Sequence, residues 1–347
     1  MKSKEQCEEN VKYLNKKLKR DEFIDFKKAN KINNPKKIIF VKDLITDCNY
    51  NWGSNSLLLF TSIYHITYII YSDDKKSIIT YNLISNQKIS HIKNAHEGEI
   101  NAFKHCFDTK TKKDLIISNS KYNHEIKLWN FQKLQLLWIY KGEKVKCEFL
   151  LYNNLDNQFF LLTSSLLYEK INIYDLKGKL IKQLDSSEGE TKYIDNYYDN
   201  DLLKNFVIVV YNNFAVSFDF NINKLYKIYY FQIMNSFKSL EIYKNEKTKL
   251  IISFDKYISI WDFHSGNFEN NILVCNRILR SVCPWNEKYF FTGSTTIRLV
   301  DINKNKIKKL SEKVGVISSI KKCIHPQFGE CLITKNNSNI KLWRIEK

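Results

Sequence analysis

The chain has 347 residues, 44% of them apolar, and a formal net charge of +18 from 55 Lys and Arg against 37 Asp and Glu. Its eight cysteines include no CxxC pair and no histidine at a zinc-type interval, which excludes the common structural zinc motifs and indicates reduced thiols of an intracellular protein. The longest apolar stretch, residues 56–72, is interrupted by His65 and several hydroxyl groups, so it predicts two buried strands and not a membrane span, which needs about 20 apolar residues.

Residues 1–35 differ in character from the rest of the chain. They combine a capping-box spacing near their start with an apolar stripe formed by Val11, Leu14 and Leu18. This pattern predicts a charged, amphipathic helical extension that could dock on the rest of the protein, bind a partner or lie on an anionic membrane. It contains no apolar run of the kind that forms a secretion signal, so we expect a cytoplasmic protein, with a nuclear location as the alternative.

From residue 36 onward, short β-type runs end in a recurring two-residue signature. The seven pairs are Tyr81-Asn82, Trp129-Asn130, Tyr174-Asp175, Phe218-Asp219, Trp261-Asp262, Val300-Asp301 and Trp343-Arg344. Their first members are 48, 45, 44, 43, 39 and 43 residues apart. A repeat of about 40–45 residues that ends in Trp-Asp is typical of the blades of a β-propeller. The spacing therefore predicts an all-β, seven-bladed propeller over residues 36–347.

The second blade shows the pattern of strands most clearly. We predict its four strands at residues 100–106, 114–119, 125–130 and 136–141, separated by polar turns. Short strands at this rhythm favour radial repetition over a single sandwich.

The two ends of the repeat region predict how the ring closes. Only a few residues follow Trp343, so the last blade lacks its outer strand, whereas residues 38–42 form an apolar strand that belongs to no blade. Pairing the two would complete the seventh blade and remove two unpaired sheet edges.

The seven signatures together resemble the WD40 repeat family, and the closing segment from His325 to Trp343 is similar to uncharacterised WD40 proteins of protists such as ciliates. The resemblance implies a seven-bladed scaffold without an activity of its own. It also implies a hydrogen-bonded set of His, Ser or Thr, Asp and Trp in each regular blade. The residues that match this structural signature are His96, Trp129, Asp175, Asp219, Asp255, Trp261, Asp262, Asp301 and Trp343.

No blade matches the complete hydrogen-bonded set. In blade two, His96, Ser118 and Trp129 fit, but Asn123 stands where the set has Asp. In blade five, Asp255 fits that position, with Ser253 as the hydroxyl, but no histidine precedes them. We therefore expect the fold to depend mainly on apolar burial.

Two groups of residues are candidates for partner binding. Tyr122, Tyr211 and Phe254 precede turns between second and third strands, where an exposed aromatic side chain could bind a partner and a buried one would pack in the core. An acidic segment that includes Asp185, Glu188 and Glu190 is a docking site for a basic partner, a docking site for the protein's own N-terminal helix, or a solvated loop.

The sequence carries no motif for catalysis. It has no nucleophile elbow, no P-loop and no glycine-rich dinucleotide turn, and its histidines are scattered. We expect no catalytic, cofactor-binding or metal-binding residues, and hence no enzyme. The expected function is a protein-interaction scaffold, present as a monomer or as a subunit of a hetero-complex.

The charge of +18 leaves a second function open, a nucleic-acid- or ribosome-associated propeller. The alternative is that Lys serves as the default soluble residue, since only five Arg are present and Lys-rich segments such as residues 304–309 fit a solvated outer strand. Two narrower functions known for such propellers lack their motifs. The chain has neither the Arg-Arg pair of phosphoinositide-binding propellers nor the Trp-Asp-x-Arg element of ubiquitin-ligase adaptors.

Overall fold

A computed structural model describes most of the chain between Pro35 and Glu346. The described residues are 35–46, 57–72, 76–120, 124–141, 145–153, 155–165, 170–185, 191–231, 237–244, 246–286, 288–336 and 339–346. They form 28 β-strands and contain no helix. The helical extension predicted for residues 1–35 lies outside these ranges, apart from Pro35.

The strands form seven four-stranded antiparallel sheets, and six of these follow one another along the chain. The first three blades contain β2 (Leu57–Thr61), β3 (Thr67–Tyr71), β4 (Ile78–Asn82) and β5 (Gln87–Ile92); β6 (Ala102–Asp108), β7 (Lys113–Ser120), β8 (Glu125–Asn130) and β9 (Gln135–Lys141); and β10 (Val145–Asn153), β11 (Gln158–Ser165), β12 (Lys170–Asp175) and β13 (Leu180–Asp185). The next three contain β14 (Tyr193–Asp199), β15 (Lys204–Val210), β16 (Phe214–Asp219) and β17 (Lys224–Tyr230); β18 (Phe237–Lys244), β19 (Thr248–Phe254), β20 (Tyr257–Asp262) and β21 (Phe268–Leu273); and β22 (Ser281–Pro284), β23 (Tyr289–Gly293), β24 (Ile297–Asp301) and β25 (Lys306–Lys309).

The seventh blade joins the two ends of the described chain. It consists of β26 (Ser319–His325), β27 (Gly329–Lys335), β28 (Ile340–Glu346) and, on its outer side, β1 (Lys37–Ile45). Strand β1 runs antiparallel to β28, with Lys37 opposite Glu346 and Ile45 opposite Ile340. The predicted closing segment 38–42 lies within β1. The protein is thus a closed seven-bladed β-propeller, as the repeat spacing predicts.

The hydrophobic core lies between neighbouring blades. In one cluster, Leu162 of blade three packs with Val207 and Val216 of blade four. In another, Ile38 of β1 packs with residues of blades six and seven, so the closing strand contributes to the core as well as to the sheet. In blade four the second and third strands are buried along nearly their whole length, and β15 is accordingly a continuous apolar run from Phe206 to Val210.

The connections between strands lie on two opposite faces of the ring. Because each blade is an up-and-down meander, the turns between its first and second strands and between its third and fourth strands lie at the same end. We call this end of the ring the hairpin face. One contact between neighbouring blades agrees with this geometry. Asn205 Nδ2 in blade four donates to Asn153 Oδ1 in blade three, and each residue lies beside the turn between the first and second strands of its blade. The remaining turns and the blade-to-blade connections lie on the opposite face.

Candidate functional site

The second residue of each signature pair has a local role at the end of a third strand. In six blades it is Asn or Asp, and its Oδ1 accepts hydrogen bonds from backbone N–H groups of the turn that leads to the fourth strand. The bonds are Ile84 N to Asn82 at 2.9 Å, Lys133 N to Asn130 at 2.9 Å, Lys177 N to Asp175 at 2.8 Å, Asn221 N to Asp219 at 3.1 Å, Ser265 N to Asp262 at 2.7 Å and Asn303 N to Asp301 at 3.1 Å. These side chains satisfy turn donors that would otherwise lack a partner.

Blade seven has no such capping side chain, and its strand order shows why. Its signature pair ends in Arg344, which has no side-chain oxygen, and β28 continues to Glu346 without turning into a fourth strand. The fourth strand of this blade is β1, from the other end of the chain. A turn cap is therefore needed in six blades and not in the seventh.

Blade two contains a buried polar network around Ser118. The indole N–H of Trp129 donates to Ser118 Oγ at 2.8 Å, and Ser118 Oγ lies 2.7 Å from His96 Nε2. On the other side of the imidazole, His96 Nδ1 lies 2.7 Å from Glu125 Oε2. Glu125 therefore supplies an acid to this network, whereas the set implied by the family resemblance has Asp at position 123, which lies outside the described residues.

The surroundings of His96 determine its protonation state. Burial lowers the pKa of His96 to about 4, although the charge of Glu125 acts in the opposite direction. The imidazole is therefore neutral at pH 7, and the tautomer with its hydrogen on Nδ1 directs Nδ1–H at the carboxylate and lets Nε2 accept a hydrogen bond from the Ser118 hydroxyl. Lys127 Nζ lies 3.2 Å from Glu125 Oε1 and donates to the carbonyl of Ala95 at 2.6 Å, so the buried carboxylate also has a cationic partner.

Blades five and seven keep only parts of such a network. Trp343 Nε1 donates to Thr334 Oγ1 at 2.8 Å in blade seven. In blade five Ser253 Oγ lies 2.6 Å from Ser239 Oγ, and Trp261 is buried among aromatic rings. Asp255 does not complete a set there. It occupies the tight turn before β20 with φ of 36°, and the hydroxyl of Ser253 contacts Ser239 instead.

The inner strands enclose a channel crossed by two ion pairs. The channel contains a cavity of about 510 Å³ lined by residues of six blades. Lys104 Nζ in blade two lies 2.6 Å from Asp195 Oδ1 in blade four, and Lys321 Nζ in blade seven lies 3.5 Å from Glu241 Oε1 in blade five. Each pair skips the blade between its partners, so the two pairs brace the ring across its opening.

The strand registers place these four charges at equivalent positions. In each of the four blades, the first signature residue pairs with a residue of the second strand, which pairs in turn with a residue of the first strand. The charged residue stands immediately before that first-strand residue. Burial raises the pKa of Glu241 despite the attraction of Lys321, and the charge of Glu241 raises the pKa of Lys321. Lys104 also lies 4.3 Å from the ring centre of Phe149. The arrangement holds opposite charges together in a partly dehydrated channel.

Two of the aromatic candidates for partner binding are core residues. Tyr211 and Phe254 are each 1% exposed and belong to the clusters of blades three to five. Of the two alternatives for them, the structure shows the packing role, because Phe254 ends the apolar strand β19 and Tyr211 directly follows the apolar strand β15. Tyr122 lies outside the described residues.

The acidic segment does not form a single surface. The side chain of Asp185 is 91% exposed and lies 3.6 Å from Lys170, whereas Asp195 is in the channel. Asp199 is buried on the hairpin face, where it contacts Lys244 at 3.2 Å. Glu188 and Glu190 lie outside the described residues. Among the described residues of the segment, the exposed Asp185 therefore stays a candidate for docking a partner.

Among the described residues, no group of three or more His, Cys, Asp or Glu side chains is arranged to hold a metal ion. Cysteines 106, 275, 283, 323 and 331 are free thiols, and burial raises the pKa of Cys106 and Cys283 to about 12. Within the same described part, no helix is long and apolar enough to cross a membrane.

No protein-family model matches the chain, and no curated protein matches it. The fold defines the class of protein, a seven-bladed β-propeller.

Proposed function

We propose that the protein is a non-catalytic scaffold that holds other proteins on the surface of a WD40-type propeller. The observation that supports this best is the closed ring, in which β1 completes the seventh blade and ion pairs brace the channel. Such a disc presents many turns on a rigid frame, and function in this fold resides in the surfaces added to it. The recurring Asp residues cap turns, which favours a structural over a chemical role for them.

The blade-two network supports placing the chain in the WD40 family. Its His96, Ser118 and Trp129 fit the set that the family uses, with Glu125 as the acid. The proposed likeness to WD40 proteins of protists depends on the sequence of the last blade. We further propose that the protein acts in the cytoplasm, with the nucleus as the alternative, as a monomer or within a hetero-complex.

The scaffold proposal is tested by native purification. The tagged full-length chain, expressed in cells of its own source, is expected to co-purify with a stoichiometric protein that also recovers the chain when it is tagged instead. A triple variant, Asp185→Asn with Glu188→Gln and Glu190→Gln, is expected to lose a basic partner. The matched control is Glu312→Gln, because the Glu312 side chain is 92% exposed and lies outside the acidic segment. A chain that purifies as a monomer without any partner from these cells contradicts the proposal.

A second candidate, binding to RNA or the ribosome, is supported by the charge of +18 and by exposed Lys306, Lys308 and Lys309 on β25. It predicts an affinity for RNA whose logarithm falls linearly with the logarithm of the salt concentration. Lys308→Gln with Lys309→Gln should reduce that slope by roughly one to two units. Absence of RNA binding at about 50 mM salt excludes this candidate.

A further inference from the structure

The turns of the hairpin face share one backbone feature. In most of the described ones, a residue one or two positions before the next strand has a positive φ, a conformation that Gly adopts freely and Asn tolerates. The chain places Asn at four of these positions and uses other non-glycine residues at four more. The eight are His65, Asn86, Lys112, Leu134, Asn157, Leu203, Asn223 and Asn305.

Leu134 and Leu203 are the unusual members of this set. Their φ values are 52° and 50°, and bulky side chains are rarely found in this region because the Cβ atom crowds the backbone. Burial does not compensate for the strain, since the two residues are 40% and 61% exposed. Where a strained backbone carries an exposed apolar side chain, a role outside the fold is a reasonable inference.

The neighbouring turns carry more exposed apolar side chains. In blades one to four, the other large apolar residues exposed on turns of the hairpin face are Ile63 at 36%, Tyr64 at 60%, Ile84 at 37%, Leu155 at 45%, Leu202 at 46% and Ile222 at 64%. Among the described turn residues of blades five to seven on this face, none is a large exposed hydrophobic. The apolar tips therefore occupy one part of the face.

Exposed lysines lie between these tips. Lys110, Lys112, Lys133, Lys177 and Lys179 are exposed in the turns of blades two and three. The acids nearby are largely engaged in the turns themselves, since Asp108 accepts from the backbone N–H groups of residues 110 and 111, and Asp175 from those of residues 177 and 179. The turns of blades three and four on this face also hold the exposed acids Asp156 and Asp201, so the surface combines separate apolar points with an excess of lysines over exposed acids in the turns.

We propose that the hairpin face of blades one to four attaches the protein to the surface of an anionic lipid bilayer. The apolar tips enter the boundary between headgroups and acyl chains, and the lysines between them are attracted to anionic headgroups. A second copy of the chain fits this surface poorly, because it would bring a charge of +18 against a charge of +18. A protein partner would be expected to meet a contiguous apolar patch and not separate tips divided by lysines.

The proposal is tested with the full-length chain and vesicles of phosphatidylcholine, with and without phosphatidylserine. Co-sedimentation is expected only with phosphatidylserine. Leu134→Asn with Leu203→Asn should weaken binding by at least about tenfold, and should also raise the melting temperature, because Asn accepts the positive φ better than Leu does. Lys133→Gln with Lys177→Gln and Lys179→Gln should weaken binding and reduce its sensitivity to salt.

The matched control is Leu273→Asn. Leu273 is 48% exposed at the end of β21, on the side of the opposite face, and its substitution should leave vesicle binding unchanged. The proposal is overturned if the unmodified chain does not bind phosphatidylserine vesicles. It is also overturned if the double leucine variant binds as well as the unmodified chain, since attachment would then come from elsewhere, such as residues 1–35. Loss of a protein partner in that variant, without vesicle binding by the unmodified chain, would assign the face to a protein instead.

Discussion

Glu125 shows how a single residue can complete a network that its sequence position hides. It stands two residues after position 123, where the family resemblance led us to look for an Asp and found Asn. Its side chain is one methylene longer, and it reaches His96 from the start of β8. His96, Ser118 and Trp129 were predictable from their spacing, whereas the substitute acid required the coordinates.

The protonation state of His96 gives the first prediction. Its pKa is lowered in the folded protein, so the unfolded chain binds the proton more readily. The contribution of neutral His96 to the free energy of unfolding should therefore be fully present above about pH 6.5. The free energy of unfolding should fall by on the order of 3 kcal/mol as the pH decreases to about 4. The histidine NMR signal that is lost in His96→Gln should not titrate between pH 7 and 5. A midpoint near the ordinary value of 6.5 would contradict the network.

The hydroxyl of Ser118 gives a second prediction. Ser118→Ala should destabilise the protein by about 2–4 kcal/mol, because both the His96 ring and the Trp129 indole lose their partner in a buried site. Urea denaturation measures the change, with Ser85→Ala in an exposed turn as the control, for which we expect less than about 0.5 kcal/mol. Equal effects of the two substitutions would show that the Ser118 network contributes nothing.

At the scale of the strand and its turn, the signature pair predicted the ends of the third strands well. Strands β4, β8, β12, β16, β20 and β24 all end at the second signature residue. The reason is local, since the same side chain that ends the strand caps the turn. The charges at the channel could not be predicted in this way. Lys104 and Asp195 are far apart in the sequence, and only the stacking of inner strands around the ring brings them together.

The cap at Asp262 gives a third prediction. Asp262→Ala should cost about 1 kcal/mol, whereas Asp262→Asn should be nearly neutral at pH 7 because the amide oxygen can still accept the bond from Ser265 N–H. Burial acts to raise the pKa of Asp262, but bonds from the backbone of Ser265 and His264 outweigh it and lower the pKa. The stabilisation by the charged form should therefore be present above about pH 3.9 and disappear as the pH falls through the lower folded value. Thermal denaturation of both variants as a function of pH measures it, and an equal loss in Asp262→Asn at pH 7 would contradict the cap.

At the scale of the whole molecule, the cross-channel ion pairs and the closing strand add to the apolar packing between blades. The pair between Lys321 and Glu241 is partly accessible, with 28% and 29% of each side chain exposed. The contribution of this pair to the free energy of unfolding should lie between those of surface and buried ion pairs. A double-mutant cycle with Lys321→Met and Glu241→Gln should give a coupling energy of about 1–2 kcal/mol. A coupling energy of zero would show that the pair does not brace the ring.

The central claim is that β1 closes the propeller by pairing with β28. Amide hydrogen exchange of the folded protein, with the deuterium in residues 37–45 located by digestion and mass spectrometry, tests it most directly. The closed ring predicts that the amides of β1 that bond to β28 exchange about as slowly as their partners in Ile340–Glu346, because both strands open only with the seventh blade. Rapid exchange of residues 37–45 while the inner strands of the same blade stay protected would contradict closure.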